Sequence, residues 1–297
     1  MSEKNSLKII TDENLMETRS HGHASFPFQY YFENIWDFDF HTLDWHWHKE
    51  LEFIYIQKGE VHCYIGNKTF SLSEGYGMFI NTKIVHKLTA EQSVIISNIV
   101  FSPSLIATPD SIIYQEFIEP VLTASLPFFV FNPSISWHKE ILIMMNQIFE
   151  IQENAAHNEL TTLRMLVSLW DILFLHIKSS LEQEHPSQSN SNIARLQIMM
   201  SFIHSHYTEP IQLSDIAAAV HISKNCCMQI FKNEIQQSPV SYLIQYRLKS
   251  AAQLLSSTET KIVAIAERCG FHDASYFCRI FKELYKVSPA EYRKKFR

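Results

Sequence analysis

The feature that most constrains this chain is that its C-terminal third says nearly the same thing twice. Ile230-Phe231-Lys232, Ser238-Pro239 and Tyr242 return as Ile280-Phe281-Lys282, Ser288-Pro289 and Tyr292, fifty positions on. Upstream, Ile216-Ala217 returns as Ile265-Ala266, forty-nine positions on. The slip of one residue falls between the two matches, where a turn absorbs it. Two copies are too few for a solenoid, which needs at least three repeats to bury its faces. A short helix, a turn and a longer helix, duplicated, read instead as paired helix-turn-helix units.

The chemistry of each unit agrees. Leu213 to Val220 is a short Ala-rich apolar helix, His221-Ile222 a turn, and Ser223 an N-cap for the helix that follows. Cys227, Ile230 and Phe231 then make an inward stripe, leaving Asn225, Met228, Gln229 and Lys232 on the opposite side. In the second unit Gly270 supplies the turn and Asp273 the N-cap. Phe277, Ile280 and Phe281 point in, while Ser275, Cys278, Arg279 and Lys282 point out. A helix with an apolar back and a front of amides, hydroxyls and cations can lie in a major groove and read base edges.

Ile262 to Arg293 (IVAIAERCGFHDASYFCRIFKELYKVSPAEYR) resembles the signature of the AraC/XylS-type transcription regulators, and residues 193–297 as a whole resemble their DNA-binding domain. The departures are specific. Gln236 and Lys286 stand where the family usually has glycine, Cys226-Cys227 where it favours Tyr-Leu, and Gln229 where it often has Arg. Charge gives an independent indication. Residues 193–297 hold 14 Lys and Arg against 8 Asp and Glu, a formal +6; the first 192 residues hold 11 against 23, or −12. A basic module joined to an acidic one is the footprint of phosphate binding by the former.

No basic stretch precedes an apolar run at the N-terminus, so no signal peptide is expected. The most apolar stretch, Met165 to Ile177, is short and interrupted by Asp171 and His176, which argues against a membrane span. Cys63, Cys226, Cys227, Cys269 and Cys278 form no CxxC and read as reduced thiols of a cytoplasmic protein. Residues 182–192, EQEHPSQSNSN, have no apolar residue and read as a flexible linker between a domain at 1–181 and the one at 193–297. Before it, Trp137 to Gln152 and Glu159 to Ser179 read as helices with wide apolar stripes. The family resemblance implies that helices at this place mediate dimerisation.

Residues 25 to 105 have β character. Leu51 to Gln57, Val61 to Ile65, Lys68 to Leu72, Gly77 to Ile80 and Val94 to Phe101 are short aromatic and β-branched runs separated by turn signals. A small barrel or jelly roll follows. His46, His48 and Glu52, with His86 further on, resemble the two cupin motifs, although Asn81 and Lys83 replace the proline and glycine of the second. Read as one strand, His46, His48 and Glu52 share a face. The first reading is an effector pocket with His46, His48, Glu52 and His86 as polar groups and Trp47 and Tyr64, or Trp45 and Tyr55, as stacking faces for a carbohydrate. A metal centre on His46, His48, Glu52 and His86 is the second reading, and a barrel interior that merely happens to be polar is the third. No cofactor is expected on the first.

The expected fold is α+β: a cupin-like barrel with flanking helices, then an all-α domain of two helix-turn-helix units joined by a long helix at Pro239 to Leu255. The expected function is a sequence-specific, non-enzymatic regulator, an activator by family resemblance. Its partners would be duplex DNA, a small-molecule effector, a second copy of the chain and RNA polymerase, with no membrane. Arg279 is assigned to guanine, Asn225 and Gln229 to adenine, Ser275 to a less selective polar contact and Met228 to a thymine methyl. Lys224, Lys232 and Lys282 are assigned to phosphate. The alternative is a metal-dependent cupin enzyme with a DNA-binding tail.

Overall fold

A computed structural model describes residues 7–12, 15–66, 68–124, 126–154, 157–181 and 189–296. They form two compact units, Met1–Ile193 and Ala194–Arg297. The first holds nine strands: β1 Phe28–Asn34, β2 Thr42–His46, β3 Leu51–Lys58, β4 Glu60–Ile65, β5 Lys68–Ser73, β6 Gly77–Ile80, β7 His86–Thr89, β8 Ile95–Phe101 and β9 Phe128–Phe131. They pair antiparallel into a five-stranded sheet, β1-β8-β3-β6-β9, and a four-stranded sheet, β2-β7-β4-β5. Among the described residues three α-helices accompany the strands: α1 Glu119–Thr123, α2 Ser136–Asn154 and α3 Glu159–Leu181.

Alternation along the strands sorts the side chains into two cores. On β3, Ile54 and Ile56 join Val61, Cys63, Ile65, Met78, Ile80 and Leu88 between the sheets, while Leu51 and Phe53 turn to the other face. There they meet α2 and α3 through Met145, Phe149, Leu166 and Trp170. Gly77 is what lets α2 come so close: a Cβ at this position would lie 2.6 Å from Leu142 Cδ2. The barrel is thus filled by side chains over most of its length.

α3 runs longer than the apolar stretch legible in the sequence, and Glu159–Ser179 could by length and composition cross a membrane. Its stripe of Leu166, Leu169, Trp170, Leu173 and Ile177 is instead buried in the core shared with the sheet, as in a core helix.

The second unit contains α4 Ser189–His206, α5 Leu213–Ala218, α6 Lys224–Ile235, α7 Pro239–Ser257, α8 Ile262–Arg268, α9 Ala274–Tyr285 and α10 Pro289–Phe296. α4 starts inside the segment expected to be a linker. Residues 182–188 lie outside the described residues, but Ser189 to Asn192 are helical. The Ser and Asn residues that suggested a loop are also the types that open helices. Ser223 and Asp273 cap α6 and α9: the serine hydroxyl accepts from Cys226 N–H, and the aspartate from Ser275 and Tyr276 N–H. α7, begun by Ser238 and Pro239, is 19 residues long, or about 28 Å at 1.5 Å per residue.

The end of α4 and the turn of the second unit are locked together by Arg247 of α7. Its Nε donates to Tyr207 O at 2.7 Å and its Nη2 to Glu209 O at 2.6 Å. Gly270 (φ +79°) sits against the same group, where a Cβ would lie 2.5 Å from Tyr207 O and 2.8 Å from Arg247 Nε.

Candidate functional site

Above the apolar filling of the barrel lies a buried polar cluster. His46 ends β2 and His86 begins β7, and the two are a direct cross-strand pair with rings 4.1 Å apart. Glu52 stands on β3 in the other sheet, on the face that carries Ile54. His46, His48 and Glu52 are therefore not neighbours on one strand, as the sequence suggested. The chain leaves β2 at His46, reverses through Lys49 and Glu50, and returns as β3, so the histidines and the glutamate approach from opposite sheets. Lys83 adopts the left-handed conformation (φ +62°) at the position where the cupin motif has glycine, and its N–H donates to His48 O at 2.8 Å. Asn81, in the proline position, donates to Val121 O and Leu126 O and ties down the following segment.

Each of the three imidazoles has Nδ1 on a main-chain carbonyl: His46 on Asp44 at 2.7 Å, His48 on Glu50 at 3.1 Å, His86 on Ile84 at 2.8 Å. A carbonyl only accepts, so Nδ1 carries the hydrogen in all three. One ring nitrogen from each lies within 4.8 Å of the others. Glu52 Oε2 is 3.3 Å from both His48 Nε2 and His86 Nε2, and Asn98 Nδ2 donates to Glu52 Oε1 at 2.7 Å. Burial works against the Glu52 carboxylate, yet the contacts to His48 and His86 hold its pKa well below the usual range. Burial, together with the charge of His86, pushes His46 down to about 3.

The N-terminal segment adds groups that the sequence reading missed. Its backbone joins the cluster at Trp47, whose N–H donates to Leu15 O (3.0 Å) and whose carbonyl accepts from Glu17 N–H (2.9 Å). Glu17 and His21 are both buried, with His21 Nε2 3.4 Å from Glu17 Oε2, His21 Nδ1 2.9 Å from Tyr31 Oη, and the His21 ring 5.5 Å from that of His48. Burial opposes both charges, but the pairing prevails, lowering the Glu17 pKa and raising that of His21. Beyond them Arg19 lies over the Tyr31 ring and 3.6 Å from Glu33, whose carboxyl is raised by burial to about 7.

The expected aromatic faces fare differently. Tyr64 alternates with Cys63 and Ile65, both in the barrel interior, so it stands on the outer surface of its sheet, where Trp45 meets it edge-on at 6.3 Å. Tyr55 packs against Phe149 on the helix side. Trp47 remains beside the cluster through its position between His46 and His48.

In the second unit, Lys224, Asn225, Met228, Gln229 and Lys232 of α6 are exposed, as are Ser275, Arg279 and Lys282 of α9. Cys227, Ile230, Phe231, Phe277, Ile280 and Phe281 are buried behind them. Cys278, expected to face out, is half-buried against the core of its unit. Arg279 does not stand alone: it pairs with Glu283 at 3.2 Å and lies 5.3 Å from the Tyr276 ring. Both partners of that ion pair are 63 % exposed, so it contributes at most about 1 kcal/mol and is readily exchanged for another acceptor. Burial raises the Cys227 and Cys269 thiols to about 11, which leaves them unreactive.

Residues 216–295 match the family model of a helix-turn-helix domain, and residues 34–108 that of an AraC-like ligand binding domain. The chain is 27 % identical to the uncharacterized HTH-type transcriptional regulator YdeC of Bacillus subtilis, over 96 % of this chain and 98 % of that one. It is 22 % identical to the HTH-type transcriptional activator RhaR of Mannheimia succiniciproducens, over 84 % and 87 %. To the melibiose operon regulatory protein of Escherichia coli it is 25 % identical, over 84 % and 83 %. A β-rich AraC-like ligand binding domain is thus followed by a helix-turn-helix domain, and with these relatives the chain is a DNA-binding transcriptional regulator with a ligand-binding domain for a small molecule.

Proposed function

We propose that the protein is a cytoplasmic homodimeric activator whose effector is a carbohydrate bound at the polar end of the barrel. α6 and α9 enter successive major grooves about 34 Å apart on one face of the duplex. The observation that carries the effector reading is the excess of acceptors in the cluster. Asn98 Oδ1 is a buried acceptor with no hydrogen-bond partner, and it stands beside the carboxylate of Glu52, which has spare lone pairs for further donors. A polyhydroxylated ligand supplies donors in number. The melibiose operon regulatory protein among the relatives supports the same class.

Dimerisation is supported by apolar side chains left exposed on α2 and α3, among them Ile143, Val167 and Leu175. An activator must also contact RNA polymerase once it is on DNA.

The test is a thermal-shift screen of mono- and disaccharides against the full chain, with amino acids and fatty acids as comparison sets. A sugar at 100 times its Kd raises stability by about 2.7 kcal/mol, and Glu17→Ala and Asn98→Ala abolish the shift. A shift from sugars that both variants retain, or from none of them, overturns the site.

A further inference from the structure

The geometry points to Glu283 as a specificity-determining residue: it makes Arg279 a reader of guanine rather than a binder of phosphate. The inference rests on α9 entering a major groove, as proposed above, and adds a residue that no base needs to touch. Tyr276, Arg279 and Glu283 stand at i, i+3 and i+7 along α9, so the three share one face. Glu283 Oε1 accepts from Arg279 Nη1 at 3.2 Å, and the guanidinium carbon lies 5.3 Å from the centre of the Tyr276 ring. The carboxylate thus holds one corner of the guanidinium only. Nε and Nη2 form the side-on fork whose two parallel N–H groups match N7 and O6 of guanine. Among the described residues that fork meets no acceptor.

A lone arginine beside a duplex has two outlets, the phosphates and the base edges, and only the second carries sequence information. A carboxylate beside the guanidinium offsets its positive charge at a distance, so a phosphate gains little from approaching the pair. The opposite fork keeps its full hydrogen-bonding capacity, and that capacity is what guanine reads. Glu283 also repels phosphate directly, which penalises any docking in which Arg279 has no guanine to meet. Tyr276 on one side and Glu283 on the other restrict the rotamers of a long side chain before DNA arrives, which lowers the entropy lost on binding. The pair is too exposed to matter much to the fold, so its effect falls on recognition. The first unit has no counterpart. Fifty positions earlier stand Cys226, Gln229 and Asn233, which bring neither a ring nor a charge.

The experiment uses the full chain and a pool of duplexes with a randomised stretch, enriched through rounds of binding. The wild type yields a preferred site, and selection with Arg279→Ala shows which guanine of that site Arg279 reads. At that position Glu283→Ala lowers the preference for guanine about tenfold. On a random duplex the same variant binds about threefold tighter, and its plot of log K against log salt steepens by about 0.9, the amount for one more phosphate contact. The steepening disappears when Arg279→Ala is added. Glu283→Gln keeps an acceptor for Nη1 without the charge, so it gives the tighter random binding with a smaller loss of guanine preference. Circular dichroism checks that each variant keeps its helix content. A guanine preference that Arg279→Ala removes and Glu283→Ala leaves intact overturns the role of Glu283 and leaves the groove reading standing. A site in which Arg279→Ala removes no guanine overturns both.

Discussion

The two helix-turn-helix units share a pattern and differ in how they make it. Ile222 N–H reaches Ala217 O at 3.1 Å, and Phe271 N–H reaches Ala266 O at 2.9 Å, so the turns superpose in hydrogen bonding. Between them the left-handed residue is His221 (φ +54°) in one unit and Gly270 (φ +79°) in the other. His221 is exposed and can accept the strain of a side chain. Gly270 is buried against Tyr207 and Arg247 and has no room for one. His272 is the residue by which the second unit exceeds the first. The C-terminal caps of α6 and α9 are both left-handed without glycine, at Gln236 (φ +55°) and Lys286 (φ +60°). The two copies adopt the same conformation, and only the turn that leaves no room for a side chain carries glycine.

The sharpest way to break this comparison is Gly270→Ala. Left-handed strain and the clash with Tyr207 O together cost about 3 kcal/mol in urea unfolding of the full chain; a loss under about 1 kcal/mol would mean that the close packing is not real. Next comes the reading face. Arg279→Ala lowers affinity for the operator by about 2 kcal/mol, with little change on random duplex, whereas Met228→Ala costs less than about 1 kcal/mol. Equal losses in a binding titration would make the units equivalent readers.

A smaller contrast separates the N-caps. Asp273 accepts from two N–H groups, at 2.7 and 3.1 Å, and Ser223 from one at 3.2 Å. Thermal melts should therefore show Asp273→Ala costing about 1–2 kcal/mol and Ser223→Ala about half as much. The smallest effect has the opposite sign: His221→Gly and Lys286→Gly each stabilise by about 0.5–1 kcal/mol by relieving left-handed strain. If either destabilises, the side chain makes contacts that outweigh its backbone strain.

The helical unit was legible because its signals are local: caps, turns and apolar stripes all act within four residues. The Arg279–Glu283 pair is an exception: its i, i+4 spacing was in the sequence, but Arg279 was expected to face the DNA rather than a partner on its own helix. In the barrel site the grouping of His46, His48, Glu52 and His86 was legible, but not its geometry or its further members. His46 and Glu52 come from opposite sheets because the chain reverses within four residues, which strand alternation cannot register. Tyr64 was open to correction from the sequence itself, since Val61, Cys63 and Ile65 claim the interior parity of β4. Asn98, a lone amide in an apolar strand, also left a signal. Glu17 and His21 left none, for they reach the cluster through a segment without periodic pattern.

Arg247 has a mechanical consequence. One guanidinium gathers the carbonyls that close α4 and braces the turn that launches the distal reading helix. A displacement of the last turn of α4 is thus felt at both reading helices: at α9 through Arg247 and the turn it braces, and at α6 through the His204–Tyr242 hydrogen bond and the packing of Tyr242 on Phe231.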